Sequence, residues 1–196
     1  MKTILTLALM IAATAVSAAA DKVPAHPHIL IETTEGNIRL ELEGRRAPIT
    51  VSHILKLVDA GYYDGTIFHR VIPGFMAQAG GHTPDLKSKE PEGFIVNESG
   101  NGLENMRGTI AMARQADPHT ANAQFFINVN DNTALDPRPD RWGYTVFGYV
   151  VEGMDVVDKI VAVRTGPASQ FRSDVPVVPV VIKKMARFDY GDPAQQ

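Results

Sequence analysis

Short strand-like segments recur along this chain with only two helix-like segments, set far apart, and that pattern is the strongest constraint on its fold. Ile38, Leu40 and Leu42 alternate with Arg39, Glu41 and Glu43, a period of two that turns one strand face to a core and the other to water. HILIETT precedes this run, and Glu35-Gly36-Asn37 supplies turn residues between them, so the chain is expected to open with an antiparallel hairpin. Further strands are expected at 108–113, 124–129, 144–150 and 177–188, with Pro179 arguing for an edge or bulge in the last. One helix is expected from Pro48 through Val51, Ile54, Leu55 and Val58 to Gly61. A second carries Met154, Val157, Ile160 and Val161 on one face, and Gly166-Pro167 closes that region. Strands and helices do not alternate, which argues against a parallel βαβ sheet. A closed antiparallel barrel with a helix over each open end accounts for the pattern; a β-sandwich with accessory helices is the alternative.

Length and charge narrow the function classes. The 196 residues, 44% hydrophobic, suffice for one sizeable core. A net charge of -3 supplies no basic footprint for nucleic acid and no polybasic membrane patch. Residues 1–20 read as a secretory signal peptide: Lys2, an apolar run from Ile4 to Val16, then Ala18 and Ala20 as an A-x-A cleavage site. That run is too short and alanine-diluted for a membrane anchor, so no stable membrane insertion of the mature chain is expected. Residues 21–27 form a polar lead-in, 28–189 the working domain and 190–196 a tail. His26 and His28 lack a third nearby ligand in the sequence, and no metal site is expected.

Hydrolytic chemistry is poorly supplied. The chain has no cysteine, no G-x-S-x-G and no H-E-x-x-H. The stretch FHRVIPGFMAQAG, 68–80, instead sets Arg70 among Phe68, Phe75 and Met76, with Gln78 following. A cation held over apolar surface is costly unless it has a task. In QFFINV, Phe125 and Ile127 share one face while Gln124 and Phe126 share the other, and an aromatic ring paired with an amide resembles a ligand groove. Arg70, Gln78 and Gln124 can donate hydrogen bonds; Phe75, Met76 and Phe126 can line an apolar pocket for an extended peptide. Period two aligns Met76 with Gln78 but not Phe75 with Gln78, so Pro73-Gly74 must turn or bulge the chain.

The run from YYDG through TIFHRVIPGFMAQAG, 62–80, resembles the signature of cyclophilin-type peptidyl-prolyl cis-trans isomerases. The likeness continues through MAR, QFFINV, Leu135-Asp136 and TVFGYVVEGMDVVDKI and covers nearly all of the chain after residue 20. It implies a mainly β fold, a closed antiparallel eight-stranded barrel capped by two helices. It implies isomerisation of X–Pro bonds without covalent chemistry or cofactor, on proline-containing polypeptides, by the periplasmic bacterial branch of the family; a monomer is expected because no surplus apolar stretch advertises an interface. The family's catalytic arginine falls on Arg70 and its proline pocket on Phe75, Met76, Phe126 and Leu135. Its amide contacts fall on Gln78 and Gln124, its backbone contacts on Ala113 and Arg114, and a further groove position on Tyr144. Three positions depart from relatives that bind cyclosporin tightly: Ala134 replaces a Trp, Tyr144 a His, and Arg114 an Asn common in the family. Weak drug binding and an altered flanking preference are therefore expected, with Trp142 able to substitute in part. From a different class, a peptide-binding module or holdase would use the same groove without turnover, and a structural envelope domain would keep it as a vestige.

Overall fold

In the computed structural model, residues 23–189 are described; the signal-peptide reading and the tail lie outside them. The chain runs β1 (His28–Thr33), β2 (Asn37–Leu42), α1 (Pro48–Asp59), β3 (Ile67–Ile72), β4 (Met76–Ala79), β5 (Thr109–Met112) and β6 (Phe125–Asn128). It continues through β7 (Val146–Glu152), α2 (Met154–Ala162), β8 (Thr165–Ala168), β9 (Phe171–Pro176) and β10 (Val180–Phe188). Eight strands close in the order β1-β10-β3-β4-β6-β5-β7-β2, each pair antiparallel. The opening hairpin forms as its alternation requires: Ile29, Ile31, Ile38, Leu40 and Leu42 are all fully buried.

An eight-stranded barrel is just wide enough for side chains to fill it. Ile29, Leu40, Phe68, Phe125, Ile127 and Phe147 do so, and α1 and α2 add Val51, Ile54, Val157 and Ile160 to the same core. With the interior filled, a ligand must bind on the outside of the wall. A second, smaller apolar cluster lies there: Met76, Ala111, Phe126 and Val146, with Phe75, Leu135 and Tyr144 packed against it.

Helix α1 begins at Pro48 as expected, but Ala47 before it offers no side-chain cap. Glu98, from a distant loop, accepts the backbone N–H groups of Ile49 and Thr50 at 3.1 and 2.8 Å and the Thr50 hydroxyl at 2.7 Å. A carboxylate there satisfies donors the helix cannot pair and complements its positive end.

Two expectations need correction. Gly166-Pro167 does not close its region: it lies in β8, which pairs with β9 in a separate two-stranded sheet packed beside β3. Mixed, partly exposed side chains without clean alternation hid this hairpin. Pro179 marks neither an edge nor a bulge; it immediately precedes β10, whose N-terminal residues Val180 and Val181 pair with β3. His26 and His28 lie 3.3 and 3.7 Å from Glu41, yet among the described residues no group of three or more His, Cys, Asp or Glu is placed to hold a metal ion.

Candidate active site

The site is built along one rung of the barrel wall. Arg70 pairs with Gln78, Gln78 with Phe126, Phe126 with Ala111, and Ala111 with Val146, crossing β3, β4, β6, β5 and β7. Side chains directly opposite on neighbouring strands share a face, so this register sets a cation, an amide and an aromatic ring side by side.

Simple alternation would not put Arg70 there. Phe68 faces the interior, and a residue two positions along should face it too. The pairing slips between them: Phe68 is opposite Ala79 and Arg70 opposite Gln78, leaving His69 as an extra residue. This β-bulge reverses the parity and turns Arg70 outward. Beyond it, Val71 returns to the core and Ile72 to the outer cluster. The turn expected at Pro73-Gly74 is present: Phe75 N–H donates to the Ile72 carbonyl at 3.1 Å and Gly74 has φ 71°. Pro at the second and Gly at the third position suit this turn, because only Gly takes that φ without strain. It carries Phe75 to the lip of the groove.

Arg70, Phe75, Met76, Gln78, Ala113, Arg114, Phe126, Leu135 and Tyr144 together line one pocket of about 150 Å³. That is small beside the roughly 300–1,000 Å³ of pockets for drug-sized ligands and suits a single compact ring. Its base is apolar and buried, with Met76 and Phe126 only 2% and 4% exposed. Tyr144 meets Phe126 edge-on at 5.7 Å, and the Arg114 guanidinium lies 4.6 Å over the Tyr144 ring. Gln124, also expected in the site, instead lines an adjoining cavity that shares Gln78, Ala113 and Arg114; the Gln78 side-chain N–H donates to it at 3.0 Å. Trp142 stays out of the pocket. It lines a separate cleft, packs edge-on against His119 at 5.2 Å, and its carbonyl accepts from Arg114.

Several supporting residues went unread in the sequence. Asn132 donates to the Phe75 carbonyl at 2.8 Å and to the Asn128 side chain at 2.7 Å. Asn128 donates to Asn105, and Asn105 to Asp136. Asn105 and Asn128 are fully buried, so the chain of amides fixes both Phe75 and the 133–136 segment that holds Leu135. The abundance of Asn near the groove was the available signal, but Asn is equally a turn residue. Behind Arg70, His69 and His82 lie with ring centroids 4.3 Å apart and planes tilted by 45°, and Phe171 of β9 covers both at 5.7 and 5.1 Å. Burial first, then His82, pushes the His69 imidazole down to about 3; burial also lowers His82.

Comparison with known proteins shows the family and the fold. The family model for cyclophilin type peptidyl-prolyl cis-trans isomerases matches residues 28–187. A Streptomyces antibioticus peptidyl-prolyl cis-trans isomerase, cyp18, is 54% identical over 156 residues, covering 78% of this chain and 93% of the relative. Peptidyl-prolyl cis-trans isomerase A of Dickeya dadantii is 49% identical, covering 80% and 82%. In fold, the chain matches the crystal structure of a Cryptosporidium parvum cyclophilin type isomerase with a TM-score of 0.68, over 84% of this chain and 98% of that one at 24% identity. The chain therefore belongs to the cyclophilin family and is a peptidyl-prolyl cis-trans isomerase.

Proposed function

We propose that this isomerase accelerates X–Pro rotation in unfolded or exposed segments of exported proteins, with Arg70 as an electrostatic catalyst. The supporting observation is the placement of its side chain, 41% exposed, in the lining of a pocket whose apolar residues include Phe75, Met76, Phe126 and Leu135. Peptide-bond rotation faces a barrier of ~18–20 kcal/mol because resonance stiffens the C–N bond, and uncatalysed X–Pro exchange takes roughly tens to hundreds of seconds. In the twisted amide that resonance is lost and the proline nitrogen regains a lone pair. A cation aimed at the nitrogen stabilises this geometry more than either planar isomer, the condition for catalysis. The pocket holds the ring while the carbonyl side rotates. Gln78, Gln124 and the backbone at Ala113 and Arg114 take the peptide, with Tyr144 walling the groove.

No proton moves in this mechanism, and Arg stays charged throughout, so the rate is expected to be flat from about pH 6.5 to 8.5. A bell-shaped profile in a proline-peptide assay would instead assign an acid or base role to a histidine. Gly81 supplies a second test. A Cβ there would lie 2.4 Å from both Cγ and Cδ of Gln124, so the whole Gln124 side chain must rotate about its first bond to clear it. Gly81→Ala is expected to keep the melting temperature but lower kcat/KM about fivefold, the worth of one lost hydrogen bond. Unchanged kcat/KM would remove Gln124 from the substrate contacts.

Export to the periplasm is proposed from Lys2, the apolar run to Val16 and the Ala18-x-Ala20 site. Expression of the full chain in a Gram-negative host should yield periplasmic protein beginning at Asp21; uncleaved cytoplasmic protein would refute it. No helix among the described residues is long and apolar enough to cross a membrane. A monomer is proposed as the active unit, since no surplus apolar stretch in the sequence advertises an interface.

A further inference from the structure

The hairpin that sequence reading missed reaches the site. Among the described residues, the one carboxylate within 4.0 Å of the Arg70 guanidinium is Asp174 of β9, whose Oδ2 faces Arg70 Nε at 4.0 Å. We infer that Asp174 is a positioning residue for Arg70: it holds the Nε edge of the guanidinium so that the terminal nitrogens stay turned to the proline pocket. This rests on the catalytic reading of Arg70 given above.

Three features support a fixed carboxylate. Asp174 has φ 67°, a left-handed conformation few side chains adopt and Asp and Asn tolerate. The backbone on either side is anchored: Phe171 packs on His69 and His82 at the bulge, and Val175 is 4% exposed. Ser173 Oγ donates to the same Oδ2 at 2.9 Å. The Arg70 side chain, by contrast, has a long flexible stem and 41% exposure, and no other ion pair restrains it among the described residues. A separation of 4.0 Å exceeds the 2.7–2.9 Å or so of a charge-assisted hydrogen bond. Asp174 therefore attracts Arg70 without occupying one of its N–H groups, which remain available to substrate. The attraction acts in the ground and transition states alike, so its effect is on how often Arg70 is correctly aimed. That belongs in kcat rather than KM.

The test is a double-mutant cycle on the whole chain with a proline tetrapeptide, comparing wild type, Asp174→Asn, Arg70→Ala and the double variant. Asn keeps the shape and tolerates the backbone angle. Asp174→Asn is expected to lower kcat roughly threefold to fivefold, the range of a partly exposed ion pair, with KM within about twofold and an unchanged melting temperature. In the Arg70→Ala background it should have no further effect. An unchanged or raised kcat, or an equal fall in both backgrounds, overturns the inference. If Arg70→Ala itself matches wild type, the catalytic reading of Arg70 fails, and Asp174 loses its role with it.

Discussion

Arg70→Ala is expected to lower kcat/KM by about 10²-fold or more, the scale seen when one preorganised donor to a transition state is removed. A hydrogen bond from a charged group is worth ~1.5–3 kcal/mol, or roughly ten- to a hundredfold in rate. The low polarity around Phe126 and Met76 places this case toward the upper end. Substrate binding should be largely kept, because Phe75, Met76, Phe126 and Leu135 supply the apolar lining of the pocket that Arg70 shares. Folding should be kept too, since the side chain is 41% exposed and its one ion pair among the described residues, to Asp174, is long. Arg70→Lys should recover little, as a point charge on a flexible stem lacks the planar fork. The measurement is a coupled proline-isomerisation assay with the melting temperature as control. Activity within a few-fold of wild type would end the electrostatic role assigned to Arg70.

The second large effect concerns acid. His69 is 2% exposed, and burial, then His82, holds its imidazole down at about 3, against the ordinary 6.5 or so of a free imidazole. In the unfolded chain the same group takes up its proton near 6.5. Below that pH the unfolded state binds a proton the folded state refuses, so stability present above about pH 6.5 is lost as pH falls toward 3. By pH 4 the loss from His69 alone is on the order of 3 kcal/mol, a large share of a typical domain's stability. Chemical unfolding of wild type and His69→Asn from pH 7 to pH 4 isolates this group from the carboxylates. The variant should lose much less stability over that interval. Parallel curves would show that His69 titrates normally and that the pair behind Arg70 is not a source of acid lability.

The same histidine shows why the site was only partly legible. Arg70, Gln78 and Phe126 could be grouped from their types and from two family-like stretches, whereas Gln124 falls in the adjoining cavity, and the Pro73-Gly74 turn followed from a parity conflict between Phe75 and Gln78. A further parity conflict, between the buried Phe68 and the outward Arg70, is resolved by the bulge at His69. A bulge is a mismatch between two paired strands, so one strand's sequence does not display it. The amides Asn105, Asn128 and Asn132 were equally opaque: each is a common turn residue, and only their convergence behind Phe75 and Leu135 makes them a scaffold.

What the sequence determined by itself was local: the alternation of Ile38, Leu40 and Leu42, the helical stripe from Val51 to Val58, and the opposed faces of Phe125 and Phe126. These follow from the chain's own periods of two and 3.6, which each segment carries independently of its neighbours. The tertiary structure decided the rest. It fixed the rung that joins Arg70 to Val146 across five strands, the capping of α1 by Glu98 from 48 residues away, and the approach of Asp174 to Arg70 from a hairpin more than a hundred positions later. Such contacts depend on register and closure, and those are set jointly by all the strands once the shared core is filled.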